Sequence, residues 1–313
     1  MASSDGRFAP SPSGPLHLGN LRTALVAWLR ARSQGARFLV RIEDLDRGRS
    51  RPEHEAAQLR ELAVLGLDWD APPVRQSARD ALYAAAVARL AARDLVYPCW
   101  CTRAEIREAA GAPHGDLPEG AYPGTCAGLS AAERAERERT GRPAALRVRA
   151  GAARATAHDL VRGEIVATVD DFVVRRGDGT YAYNLAVVVD DGDQGVGEVV
   201  RGDDLASSAP RQAWLAGVLG VPVPTYLHVP LVLGPDGRRL AKRDGAVTLE
   251  DREALGEDAA AVRARLAASL GLCSPDERPT AQELVARFDV ALLRGAGPLR
   301  WDPVAGPLPA AAG

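Results

Sequence analysis

Groups able to do chemistry cluster in a few places along the 313-residue chain. The first is Arg7–Asn20, RFAPSPSGPLHLGN. Pro10, Pro12 and Pro15 fix φ and stiffen the segment, while Gly14 and Gly19 remove side chains where a backbone or ligand must come close. His17 and Asn20 stand at the mouth of a helix predicted from near Leu21, whose free N–H groups and positive dipole end favour an anion such as a phosphate. The second is Glu43-Asp44-Leu45-Asp46, acids that either cap the next helix or hold an ammonium. The third is Arg201, at the charged end of a predicted strand, able to pair an acid or grip a carboxylate in bidentate fashion. The fourth is the basic run Arg238–Gly245 with Lys242 and Arg243. It reads either as a solvated loop or as a mobile cationic loop of the kind a pyrophosphate leaving group needs.

A fifth cluster is different in kind. Cys99-x-Cys101 precedes a Gly/Pro-rich stretch, then Tyr122-Pro-Gly-Thr-Cys126. Three thiols this close suit zinc, which prefers four tetrahedral ligands, with chance loop cysteines as the alternative. His114, between the pairs, is the chemically ordinary fourth ligand. Cys273 lies far away and reads as a buried thiol.

These groups need elements to position them. RFAPSP opens as a strand. Leu21, Ala24, Leu25, Trp28 and Leu29 give one helical face ending at Gly35, and Arg37–Ile42 reads as the next strand. Strand, helix, strand is a βαβ unit of a parallel sheet, in which ligands sit beyond the carboxyl ends of the strands. Helices are predicted over Pro52–Leu67 and from a Ser77 cap to Ala92. Ser130–Arg142 reads as a solvated helix, and Ala144–Val148, His158–Arg162 and Val166–Val174 as short strands of an insertion. Arg175–Thr180 forms a turn; His158 reads as a surface or packing residue. Tyr181–Asp191 looks like a return to the sheet, followed by a bend at Gly195 and a strand over Glu198–Gly202. Next come a serine-capped helix over Ser208–Leu219 with Pro210 in its first turn, a strand over Tyr226–Leu233, and helices over Glu250–Leu270 and Thr280–Phe288. The tail GAGPLRWDPVAGPLPAAAG reads as low-complexity and frayed.

The apolar fraction of 46% suffices for a core of one large or two smaller domains. The net charge of −2 announces no nucleic-acid partner, although a local basic face would suffice for phosphate contacts. No run of eighteen apolar residues marks a membrane span, and MASSDGRF lacks a secretory profile. Four cysteines then suggest metal or free thiols and a cytoplasmic setting.

The string RFAPSPSGPLHLGN closely resembles the first signature of class I aminoacyl-tRNA synthetases, His17-Leu18-Gly19-Asn20, with RFAPSPSG particular to the glutamyl branch. Asn20 stands where the namesake motif has its second histidine. VVVDDGDQGVGEVVRGDDL closely resembles the glutamyl and glutaminyl branch, and LAKRD resembles the second class I signature, with Lys242 at its second lysine. The resemblance covers about residues 7–250. It implies an α/β, Rossmann-like parallel-sheet core with a zinc-bearing α+β insertion and a short helical C-terminal region. The implied divisions are a first catalytic half (1–96), the insertion (97–182), a second catalytic half with the signature loop (183–248), and a stem-contact region with a flexible tail (249–313).

By that resemblance Arg7, Phe8, Ala9, Pro10, Ser11, Glu43, Tyr183 and Arg201 form the glutamate site, with Glu43 and Ser11 near the ammonium and Arg7 and Arg201 on the carboxylates. His17, Gly19, Asn20 and Lys242 would hold ATP with its Mg²⁺, and His17, Asn20 and Lys242 would serve catalysis. The YPGTC string resembles the zinc-bearing insertion of bacterial glutamyl-type synthetases, which makes Tyr122 the fourth ligand beside Cys99, Cys101 and Cys126, with His114 as the alternative. One structural zinc is expected. Beyond the core only residues 251–313 remain, too few for an anticodon-reading domain. The chain is therefore similar to a truncated paralogue of the branch that places glutamate on queuosine in the anticodon loop of tRNA(Asp). Its partners would be ATP, glutamate and that tRNA, and a monomer is expected. The alternatives are a glutamyl-tRNA synthetase core charging tRNA(Glu) with a separate anticodon-binding partner, and a non-catalytic tRNA- or nucleotide-binding regulator.

Overall fold

The computed structural model describes residues 5–110, 121–238, 240, 245, 247–274, 276–302 and 306–307. The chain opens with β1 (Gly6–Phe8), α1 (Leu18–Ser33), β2 (Phe38–Ile42), α2 (Pro52–Val64), β3 (Val74–Arg75) and α3 (Asp80–Ala91). It continues through β4 (Val96–Cys99), α4 (Arg103–Ala110), α5 (Ala131–Arg139), β5 (Ala145–Val148), β6 (Ala153–Asp159), β7 (Gly163–Val169) and β8 (Val173–Arg175). Then come α6 (Tyr183–Gln194), β9 (Glu198–Gly202), α7 (Ala209–Leu219), β10 (Thr225–Val229) and β11 (Val232–Leu233). The last elements are α8 (Leu249–Ala254), α9 (Ala259–Ala268), α10 (Ala281–Val285), β12 (Leu299–Asp302) and β13 (Gly306–Pro307).

Seven strands form the main sheet in the order β3-β2-β1-β9-β10-β6-β7. All neighbours are parallel except the β6–β7 hairpin. From β1 the chain crosses through α1 to β2 on one side. From β9 it crosses through α7 to β10 on the other. The β1/β9 boundary is thus where strand order reverses, and a ligand belongs beyond its carboxyl ends.

Side chains alternate across the sheet. Phe8, Val40, Val200 and Leu227 pack with Leu21, Leu25 and Trp28 of α1, while Leu39, Val199 and Tyr226 pack with Ala209 and Ala213 of α7. The α1 stripe of Leu18, Leu21, Leu25 and Leu29 is almost wholly buried, which is what holds the helix to the sheet.

The structure corrects several local expectations. Helix α1 starts at Leu18 rather than near Leu21, because His17 caps it. Residues 183–194 form α6 instead of a strand. Leu185 to Val189 are all buried against α3 and α7 residues, and a buried apolar run has no periodicity to betray a helix. Gly195, at φ 69°, closes it in the left-handed region. The expected insertion strands divide: β6 and β7 extend the main sheet, whereas β4, β5 and β8 form a separate three-stranded sheet. The stretch 226–233 breaks at Pro230, and β11 joins β12 and β13 elsewhere. Trp301 of β12 is fully buried, so that part of the tail is anchored core. Ser77 does not cap α3; its N–H and hydroxyl both donate to Asp44. Ser208 precedes α7 without a side-chain cap bond. The span 250–270 is two helices, parted by a turn with Gly256 at φ 86°.

Candidate active site

The Pro-rich loop after β1 is pinned from below. Gln58 of α2, buried, donates to the carbonyls of Ser11 at 3.0 Å and Gly14 at 2.7 Å. The Glu43 N–H donates to Pro10 O, and the Leu16 N–H to Glu61. Glu61 is partly desolvated and lies near Glu250 and Glu253, and its pKa is pushed up to about 7, burial being the main cause. The loop delivers His17 to the helix start as a capping box. The Asn20 N–H donates to His17 Nδ1 at 3.2 Å, and Asn20 Oδ1 accepts from the His17 N–H at 3.3 Å. Asn20 is therefore a helix-start residue whose side chain holds the His17 backbone. Because Nδ1 accepts, the proton of the neutral ring sits on Nε2. Gly19 packs closely here: a Cβ would meet the His17 ring at 3.1 Å and Val232 at 3.4 Å, so either neighbour would have to give by a few tenths of an ångström.

Beside the loop, β2 ends in Arg41 and Ile42, and Glu43 follows it directly. Arg41 is fully buried and bonds Asp191 of α6 at 2.7 Å, with Glu43 at 3.4 Å and Asp190 at 3.7 Å. Arg7 of β1 bonds the same Asp191 oxygen at 3.3 Å and the Val200 carbonyl at 3.0 Å. Burial opposes ionisation of Asp191, but Arg41 and Arg7 outweigh it and hold its pKa below the usual range. For Glu43 burial wins over the same arginines and raises the pKa. Asp190 is tied to Arg79, Tyr83 and Gln76.

On the far side of β1, β9 ends at Arg201, on the face it shares with His228 of β10. Its Nε donates to His228 Nε2 at 3.0 Å, Nη1 to Gln212 Oε1 at 2.7 Å and Nη2 to Leu205 O at 3.1 Å. Tyr183, first residue of α6, is 37% exposed, and its hydroxyl pKa is raised by local desolvation.

Together these groups line one open cavity of about 670 Å³ at the β1/β9 boundary. Arg7, Phe8, Ala9, Pro10, Ser11, His17, Gly19, Asn20, Glu43, Tyr183 and Arg201 all contribute to its wall. Lys242 lies outside the described residues, and so does His114. A second cavity of about 540 Å³ shares Ser11, Glu43 and Tyr183 with the first and runs toward Arg103, Arg176 and Tyr181.

The thiol cluster lies apart, at the end of β4. The sulfurs of Cys99, Cys101 and Cys126 all lie within 4.8 Å of one another. Cys101 and Cys126 are 3.5 Å apart, and the Tyr122 hydroxyl is 3.4 Å from Cys99 and 3.8 Å from Cys101. Tetrahedral zinc with bonds of about 2.3 Å spaces thiolates by roughly 3.8 Å, so the chemistry and closeness of this donor set are compatible with that ion. The Arg147 guanidinium stacks 3.6 Å over the Tyr122 ring. The Tyr122 N–H is held by Asp170.

Sequence reasoning missed the groups behind the wall: Arg41, Asp191 as a helical residue, His228, Asp159 and Gln212. A signal existed for two of them. Arg41 in RFLVRI and His228 in YLHVPLVL are single polar residues inside apolar strands, and a polar group buried there needs a partner.

The profile of tRNA synthetases class I (E and Q), catalytic domain, matches residues 5–288. The chain is 60% identical over 288 residues to the glutamyl-Q tRNA(Asp) synthetase of Nocardia farcinica, covering 92% of this chain and 90% of that one. It is 49% identical over 298 residues to the protein of the same name from Symbiobacterium thermophilum, covering 91% and 92%. Among solved structures it resembles the glutamate-tRNA synthetase of Elizabethkingia anophelis, with a TM-score of 0.80 and 26% identity over 96% of this chain and 68% of that chain. A glutamate tRNA ligase from Elizabethkingia meningosepticum, solved with its amino acid, gives the same TM-score and identity.

Proposed function

This chain belongs to the class I tRNA synthetases of the glutamyl and glutaminyl (E and Q) family, and from that premise we propose that it activates glutamate with ATP and transfers it to queuosine in the anticodon of tRNA(Asp). The observation that carries the reading is the convergence of Arg7, Glu43, Tyr183 and Arg201 with the His17 helix start in one cavity at the point where strand order reverses.

The glutamate ammonium sits near Glu43 and Ser11, and its carboxylates face Arg7 and Arg201. Phe8, Ala9 and Pro10 wall the pocket, and Tyr183 closes its mouth. ATP, with Mg²⁺ on its phosphates, lies against Gly19 and the start of α1. The glutamate α-carboxylate attacks the α-phosphate in line and pyrophosphate leaves, giving the glutamyl adenylate. The Nε2–H of His17 and the ammonium of Lys242 stabilise the charge that develops on the phosphate; losing one such donor costs about 3–4 kcal/mol of transition-state stabilisation. A hydroxyl of the queuosine cyclopentene-diol then attacks the adenylate carbonyl, and AMP leaves. The name of the Nocardia and Symbiobacterium relatives, glutamyl-Q tRNA(Asp) synthetase, supports queuosine-bearing tRNA(Asp) as the acceptor.

Cys99, Cys101, Cys126 and Tyr122 would hold one structural zinc, tying β4 to the segment before α5 and bracing the β4-β5-β8 sheet; that sheet shares residues 97–182, between the catalytic halves 1–96 and 183–248, with β6 and β7 of the main sheet. Residues 249–313 follow as a tRNA stem-contact region. A monomeric, cytoplasmic protein is part of the same proposal. Among the described residues no helix is long and apolar enough to cross a membrane. Metal analysis of the purified protein should find about one zinc, lost in Cys99→Ser, and a protein free of zinc sinks that assignment.

The deciding experiment charges queuosine-containing tRNA(Asp), the same tRNA without queuosine, and tRNA(Glu) with labelled glutamate. Label on the first alone is expected. Label on tRNA(Glu) alone selects a glutamyl-tRNA synthetase core, and absence of glutamate-dependent ATP–pyrophosphate exchange selects a non-catalytic binder.

A further inference from the structure

Arg201 can use its charge on a ligand only if something fixes the guanidinium without neutralising it. Its Nε–H needs an acceptor, and that acceptor is His228 Nε2, 3.0 Å away. Arginine has no lone pair to offer in return, so Nε2 must be bare and the ring proton must sit on Nδ1. Nδ1 faces Asp159 Oδ2 at 2.6 Å, and both side chains are completely buried. Asp159 is itself immobilised at the end of β6. Its Oδ2 also accepts the His228 N–H at 3.0 Å, and its Oδ1 accepts the N–H groups of Val161 and Arg162 at 2.8 and 2.7 Å. The Tyr226 ring lies parallel to the His228 ring at 5.9 Å. Three adjacent strands, β6, β10 and β9, thus contribute one residue each to a chain that ends at the cavity wall.

We infer that Asp159 and His228 are a positioning pair for Arg201: the carboxylate selects the histidine tautomer, and the bare Nε2 aims the guanidinium at the substrate carboxylate. The inference rests on reading the cavity as the glutamate site.

The arrangement carries a pH dependence. The charged groups around the ring are Asp159 from β6, Arg201 from β9 and Asp203 at the start of the turn after β9. Burial, assisted by the Arg201 charge, holds the His228 pKa below the ordinary histidine value of about 6.5, with Asp159 opposing. The ring stays neutral at neutral pH. Protonation below that range would turn Nε2 into a donor aimed at a cation, and Arg201 would lose its anchor.

The test is glutamate-dependent ATP–pyrophosphate exchange by the full-length protein from pH 5 to 8, with His228→Leu and His228→Gln compared with wild type and thermal melts as the check on folding. Gln keeps an oxygen able to accept from Arg201 Nε. His228→Leu should raise the glutamate KM roughly tenfold or more, the usual range for losing a hydrogen bond to a charged group, with the ATP KM within about twofold. His228→Gln should recover most of the affinity and lack the acid-side rise in glutamate KM of the wild type. A folded His228→Leu with unchanged glutamate KM overturns the inference. So does a His228→Gln pH profile parallel to the wild type, which decides the matter even if the Leu variant does not fold. A wild type silent with glutamate overturns the glutamate reading itself, and the positioning role with it.

Discussion

Arg7 and Arg201 stand on either side of the same strand boundary, on the same face of the sheet, both buried and both lining the cavity. They are held in opposite ways. Arg7 shares the Asp191 carboxylate with Arg41, within a buried ionic group that also takes in Glu43 and Asp190. Arg201 is held by an imidazole, an amide and a carbonyl, all neutral. A cation already beside a carboxylate has much of its field cancelled at short range, whereas one fixed by neutral dipoles keeps it for a ligand. On the proposed reading both arginines face the glutamate carboxylates, and the difference divides the labour: Arg7 belongs to a rigid, charge-compensated floor, and Arg201 supplies the stronger grip.

The largest test of that division is Asp191→Asn. Removing one member of a buried ionic group leaves the others uncompensated, at a cost of about 3–5 kcal/mol, and here two arginines lose the same partner. Urea unfolding should show the loss at pH 7. The sign with pH follows from the lowered Asp191 pKa. Its contribution is present above the ordinary Asp value of about 3.9 and fades as pH falls through the native value, so the stability gap between wild type and variant should narrow in acid. A loss below about 1 kcal/mol at pH 7 would mean that the floor is not held by charge.

The cavity wall and the groups behind it differ in how far the sequence shows them. The βαβ order around His17 follows from apolar spacing, and the resemblance of their strings to the glutamyl branch brings Arg7, Glu43, Tyr183 and Arg201 together as one expected site. The supports are not legible in that way. Asp191 was visible, but the valines before it suggested a strand, and only as a helix does α6 bring Asp190 and Asp191 under β2. Asp159 lies 69 residues from its partner His228 and Gln212 lies 11 from Arg201; such pairings depend on sheet order, which sequence spacing does not encode. Trp301 made the same point in the tail: a large apolar side chain in a Gly/Pro-rich stretch can still find a core.

A smaller effect is expected from Arg201→Lys. The ammonium keeps the charge but has no planar fork with which to bond His228, Gln212 and Leu205 while facing a ligand. Glutamate KM in pyrophosphate exchange should rise by about 10–100-fold, equivalent to about 1.4–2.7 kcal/mol, with the ATP KM nearly unchanged. Stability should fall far less than in Asp191→Asn, since the acceptors left behind are neutral. Equal KM for Lys and Arg at this position would reduce Arg201 to a point charge and remove the need for its anchors.

The finest test gives Arg201 the kind of partner Arg7 has. In Gln212→Glu one oxygen takes the place of the amide oxygen that accepts from Nη1 at 2.7 Å. The other meets Asn184, whose amide now accepts nothing but can turn to donate where it formerly took the Gln212 Nε2–H. Position 212 lies in the first turn of α7, where a carboxylate suits the helix dipole. The fold therefore has reason to keep its stability, and thermal melts should show an unchanged or higher midpoint. The ligand loses, because a carboxylate already on Arg201 weakens its pull on a second one. Glutamate KM should rise about 3–10-fold, equivalent to about 0.7–1.4 kcal/mol. A stable Gln212→Glu protein with wild-type glutamate KM would show that the neutrality of the anchors is incidental, and that Arg7 and Arg201 differ in neighbours but not in what they offer a substrate.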